Sequence, residues 1–161
     1  MASCSNQENK YTNFFYKMES APEEPIIDFS TIDCLNESNQ KAIELSSKSL
    51  RLTTDLKTLE LLLKIKRDHK KINSDFKRLT NDNLIIIPKP IYNIDVSNDT
   101  IHHQKPEFVI LKKLQTEIKN QITSFDIIEK KTKNNDFKLF AIQSKRILND
   151  NNEALKTLLS S

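Results

Sequence analysis

The chain has no glycine and no tryptophan, only 7% aromatic residues, and just two cysteines. Each shortage excludes something. Glycine supplies positive φ in tight hairpins and lets backbone approach a phosphate closely. Without it, glycine-rich nucleotide loops and most two-residue hairpins are ruled out. The sixteen asparagines can still supply left-handed helix caps. Cys4 and Cys34 are far apart in the sequence and show no metal-like pairing. No secretory leader opens the chain, and no apolar run reaches the roughly 18 residues a membrane span needs. A reduced, intracellular setting in cytoplasm or nucleus, with no membrane span, is expected. There is no nucleophile elbow and no H-E-x-x-H, so the chain is expected not to be an enzyme and to need no cofactor and no metal.

What is present is helical periodicity. Residues 38–84 contain no proline and carry an apolar seam at steps of three and four: Leu52, Leu56, Leu59, Leu62, Ile65, His69, Ile72, Phe76 and Leu79. From Leu56 to Ile65 every step is three, which reads as a stammer in a heptad pattern. The same stretch, Leu59 to Ile65, is apolar on more than one face, which suits a bundle better than a two-stranded coil. One such helix cannot hide this ridge alone. The cover must be the second half of the chain, another copy or another protein.

Four regions follow from composition. Residues 1–37 form an acidic, irregular tail with two apolar islands, Phe14-Phe15-Tyr16 and Ile26-Ile27-Asp28-Phe29. These either dock on another protein or fold back on the helical body. Asn36 or Ser38 is expected to cap the long helix over 38–84. Residues 85–105 form an extended connector marked by Pro88 and Pro90, suited to lie on helices or add to a partner's sheet. A second helical segment over 106–161 starts at Pro106-Glu107, with proline favoured at the first helical position. Its apolar face runs through Leu111, Leu114, Ile118, Ile122 and Phe125. The polar stretch 130–136 contains no proline or glycine, so a continuous helix is expected through it, with a break as the alternative. The fold class is therefore all-α: two long helices in an elongated antiparallel hairpin or coiled-coil bundle.

Charge is unevenly placed. The first forty residues hold seven carboxylates against Lys10 and Lys17, a net of −5, which leaves +8 on the remainder. The strongest basic run is Lys64, Lys66, Arg67, Lys70, Lys71, Lys77 and Arg78, opposed by Asp68 and Asp75. A solvated helix face accounts for such a run. A phosphate polymer or an acidic microtubule-like surface would also be drawn to it, although no aromatic interleaves the cations to stack on bases. His69 is either a hydrogen-bonded bundle histidine or a pH-sensitive or metal-binding core residue. His102 and His103 are adjacent and point apart in any regular element. Leu59-Glu60-Leu61-Leu62-Leu63 and Leu155-Lys156-Thr157-Leu158-Leu159 both match LxxLL, a groove-docking pattern that recurs by chance in leucine-rich helices.

These features point to a helical subunit of an intracellular multiprotein assembly. It would pair with other helical proteins in a hetero-oligomer through Leu56, Leu59, Leu62, Ile65, Ile72, Phe76 and Leu79, and through the Leu111 to Phe125 face. Long, basic, glycine-free helices suit a spindle or kinetochore complex first, and an organelle-tethering or transcription coactivator complex next. A basic nucleic-acid-binding protein acting through residues 64–78 and a self-contained, homodimerising regulator are the other classes.

Overall fold

The computed structural model of the protein describes residues 26–94 and 105–160, so the Phe14-Phe15-Tyr16 island and both adjacent histidines lie outside it. The described residues are all-α, with four helices rather than two: α1 (Phe29–Ser49), α2 (Leu56–Asp82), α3 (Pro106–Lys131) and α4 (Asn135–Ser160).

The long helix expected over 38–84 is corrected at both its start and its middle. It starts earlier because Asp28, not Asn36 or Ser38, is the cap. The Asp28 carboxylate accepts from the Thr31 amide at 2.8 Å and from the hydroxyls of Ser30 and Thr31. Part of the expected irregular tail is thus helix. The second apolar island folds back: Ile27 is buried and Ile26 packs against the core. The middle breaks over residues 50–55, where Asp55 caps a new helix by accepting from the Thr58 amide and hydroxyl, both at 2.8 Å. The single rod becomes two shorter helices, and α2 is about 40 Å long at about 1.5 Å per residue.

The second helical segment also breaks. Thr132 is extended, and Asn134 caps α4, its side-chain oxygen accepting from the amides of Asp136 at 3.0 Å and Phe137 at 3.1 Å. Its amide nitrogen donates to Asn83 Oδ1 at 3.1 Å, tying this turn to the end of α2. An asparagine cap stops the helix here without proline or glycine.

Among the described residues α1 packs on α2 and α3, and α4 packs on the same two helices, so α1 and α4 are diagonal. Polar pairs fix the directions. Asn39 Nδ2 reaches the His69 carbonyl, Gln121 Nε2 reaches the Ser38 carbonyl, Lys145 reaches Asp126, and Asn151 Nδ2 reaches Asp68. Every neighbouring pair is antiparallel, which leaves the diagonal helices α2 and α3 parallel. A chain leaving the end of α2 must return the length of the bundle before starting α3. The connector is therefore long, unlike the short turns that join antiparallel neighbours.

The described part of the connector is a strap over α1 and α2. Ile85, Ile87 and Ile94 pack inward, while Leu84, Ile86 and Ile91 face solvent. Asn36 Nδ2 donates to the Pro88 carbonyl at 2.9 Å, and Lys41 lies over the Tyr92 ring at 5.6 Å. With α2, α3 and the strap around it, α1 buries polar residues such as Asn36, Ser38, Asn39 and Ser46 alongside Leu35 and Leu45. At the opposite corner, Phe140 stacks on Phe76 with centroids 6.0 Å apart and meets Phe125 edge-on at 5.4 Å.

In a chain without glycine, the C-terminus of α2 uses a leucine where glycine is usual. Leu84 has φ 56°, and the Ile85 amide bonds to the Thr80 carbonyl at 2.8 Å while the Leu84 amide bonds to Asn81 at 3.1 Å. This is a complete Schellman ending built on a side chain that pays a steric cost for it.

Candidate interaction surface

The expected seam divides between core and surface. Leu62, Ile65, Ile72 and Phe76 are buried in the bundle, and Leu79 packs against its edge. From the second half of the chain, Leu111, Leu114, Ile118 and Phe125 are buried and Ile122 packs against them. These side chains are covered within the same chain, so the seam assigned to a partner is corrected: α1 and α4 cover both the α2 face and the α3 face. Apolar surface goes to the nearest ridge that can exclude water, and here the crossover brings that ridge within reach. Of the leucines in the expected seam, Leu52, Leu56 and Leu59 stay outside the core cluster, and Leu56 is 68% exposed.

The run of three-residue steps now has a geometric meaning. At about 100° per residue, each step of three moves the side chain about 60° backward around the helix. Leu56, Leu59, Leu62 and Ile65 therefore trace a diagonal from the outer face to the core, rather than a stammer in one seam. Two stripes share α2. The inner one is Thr58, Leu62, Ile65, His69, Ile72, Phe76 and Thr80, all buried. The outer one runs through Leu56, half-buried Leu59 and Leu63, of which Leu63 is 56% exposed, while Leu52, 48% exposed, lies in the turn before α2. The alternating four- and three-residue spacing was legible in the sequence; which leucines faced outward was not.

Both LxxLL matches dissolve in the same way. Leu62 is buried while Leu63 faces solvent, so the three leucines of the first motif cannot enter one groove. In the second, Leu155 is fully buried and Leu158 and Leu159 pack against the core.

The basic run lies on the outer side of α2, with Lys66 half-buried and the others exposed. Lys64 pairs with Asp68 at 2.9 Å, Lys71 with Asp75 at 3.3 Å, and Arg78 with Asp75 at 3.9 Å. Lys66, Arg67, Lys70 and Lys77 make no ion pair among the described residues. Lys64 also donates to Asn151, which donates in turn to Asp68, a clasp that sets the register of α2 against α4.

The interior has its own polar layer. His69 is wholly buried, with Nδ1 2.8 Å from the Ile65 carbonyl oxygen. That nitrogen carries the proton, because a carbonyl only accepts. Burial pushes the imidazole pKa from 6.5 down to about 4, opposed by the Ile65 bond and by Asp68. Asn39 and Gln121 are buried at neighbouring levels, each donating its amide to a backbone carbonyl. No group of three or more His, Cys, Asp or Glu residues able to hold a metal occurs among the described residues. None of the described helices is long and apolar enough to cross a membrane.

Fold and surface define a four-helix bundle with one long crossover, a self-sealed core and an outer leucine stripe. No protein-family model matches the chain, and neither a curated protein nor a solved structure matches it.

Proposed function

We propose that the protein is a non-enzymatic helical subunit of a multiprotein assembly and meets other helical proteins through the outward face of α2. The supporting observation is the outer stripe. Leucines at coiled-coil spacing stand in solvent beside a core that is already complete. Apolar side chains at alternating steps of four and three form a seam that another helix can cover. A spindle or kinetochore complex is our first placement, because such assemblies join long helices end to end and side by side. Organelle-tethering and transcription coactivator complexes use the same kind of pairing.

Native extracts carrying tagged protein test this reading by size-exclusion mass. The wild type should run in a particle much larger than its own 18.7 kDa. Leu56→Asp with Leu63→Asp should release it as a folded monomer, whereas Leu62→Asp should unfold it. A wild-type monomer in the extract, or a double variant still in the particle, refutes the reading.

A second reading rests on Arg67, Lys70 and Lys77, which stand exposed without ion pairs among the described residues. They would attract a phosphate polymer or an acidic microtubule-like surface. Binding of that kind falls steeply between low and moderate salt, whereas leucine-driven pairing changes little.

A further inference from the structure

The outer stripe changes character along its length. In steps of seven, one row reads Leu56, Leu63, Lys70, Lys77. The companion row within α2 reads Leu59, Lys66, Asn73, the last accepting from Gln40 of α1 at 3.2 Å. Leucines over the first turns of α2 are thus followed by cation and amide farther along the same side. The flanking row Lys64, Lys71, Arg78 is tied to Asp68 and Asp75, but the stripe's own lysines are not. A seven-residue repeat drifts about 20° per heptad around a straight helix, which carries the basic half toward the strap. There Lys77 and Lys89 line a groove of about 690 Å³ together with Asn36, Gln40 and Asn81, and no carboxylate lines it among the described residues.

We propose that this stripe binds one amphipathic helix of a partner protein, apolar where it faces Leu56, Leu59 and Leu63 and carrying carboxylates at the contact positions that follow. The inference rests on the subunit reading and names the partner's chemistry. A second copy of the chain does not satisfy it. Parallel pairing sets Lys70 against Lys70, and fully overlapped antiparallel pairing sets lysines against leucines. A phosphate polymer would use the lysines but leave the leucines in water. Only an apolar-then-acidic helix both covers Leu56 and Leu63 and pairs Lys66, Lys70 and Lys77.

The test uses the full-length chain and two labelled synthetic helices of about four heptads. Both carry leucine at the contact positions of one half. The other half carries glutamate in one peptide and lysine in the other, and each is made in both chain directions. Fluorescence anisotropy should show the leucine–glutamate peptide binding in one direction and the leucine–lysine peptide not binding. Lys66→Glu with Lys70→Glu should weaken the first by about tenfold, equivalent to about 1.4 kcal/mol, and should admit the second. Leu56→Asp with Leu63→Asp should abolish both, with helicity and melting temperature unchanged because these side chains are exposed. Equal affinity for the two peptides, still lost in the leucine variant, overturns the acidic-partner inference and leaves the subunit reading standing. No binding of either peptide by a folded chain also overturns it, and the extract mass then decides the subunit reading separately. Peptide-free self-association that Leu63→Asp removes overturns it in favour of a second copy. Polyuridine binding of equal strength that survives the leucine changes overturns it in favour of nucleic acid.

Discussion

His69 makes the stability of the bundle depend on pH in a defined window. The ring is buried and neutral, with its pKa lowered from 6.5 to about 4. The unfolded chain therefore takes up a proton at this position before the folded one does. A group whose folded pKa is depressed contributes stability that is complete above its unfolded value and is lost as pH falls toward its folded value. The contribution is complete above about pH 7 and declines from there to about pH 4. At about pH 5 the unfolded chain holds nearly a full proton at this site and the folded chain almost none, a loss of about 2 kcal/mol relative to about pH 8. Urea unfolding followed by helicity at these two pH values should show an unfolding free energy lower at about pH 5 by that amount. In His69→Leu, of comparable volume and with nothing to protonate, most of the difference should vanish. The carboxylates that the fold holds low do not confuse this window. Asp55, held low by the Thr58 hydroxyl and amide, and Asp126, held low by Lys145, both lie below their usual 3.8 and lose their contribution only at more acid pH. An unchanged pH slope in His69→Leu would refute the idea that a neutral, buried imidazole is built into the core.

The α2 ending and the α3–α4 turn give two further tests. Leu84→Gly should raise stability by about 0.5–1 kcal/mol, because glycine accepts positive φ at no steric cost and Leu84 is 92% exposed. A lower melting temperature would show that the leucine side chain, not the backbone, matters there. Asn134→Ala should cost about 1–2 kcal/mol, since the α4 cap and the bond to Asn83 go together. An unchanged urea midpoint would mean that α4 begins without help from this side chain.

The α1 helix shows where the sequence is weakest as a guide. Its core-facing positions include Asn36, Ser38, Asn39, Ser46 and Ser49 among Ile32, Leu35, Ala42 and Leu45. Periodic apolarity is faint there because small and polar residues do the packing, so the helix reads as an irregular tail merging into the next one. Asp28, Asp55 and Asn134 are all visible as residues. Nothing local separates them from the other aspartates and asparagines of a chain that has many of each. A cap is chosen by where the backbone must turn, and the packing of the whole bundle decides that.

The sequence by itself determined that the described residues are helical, that the first part of the connector leaves the helix, and that α2 carries more apolar surface than one face can use. Those are local matters of glycine and proline content and of 3.6-residue periodicity. Only the tertiary structure decided which apolar face is spent internally. That depends on the crossover setting α2 and α3 parallel, so that Phe140 of α4 meets both Phe76 and Phe125 while Leu56 and Leu63 are left in solvent. The burial of a side chain is a property of what lies opposite it, and what lies opposite is set by contacts far apart in the chain.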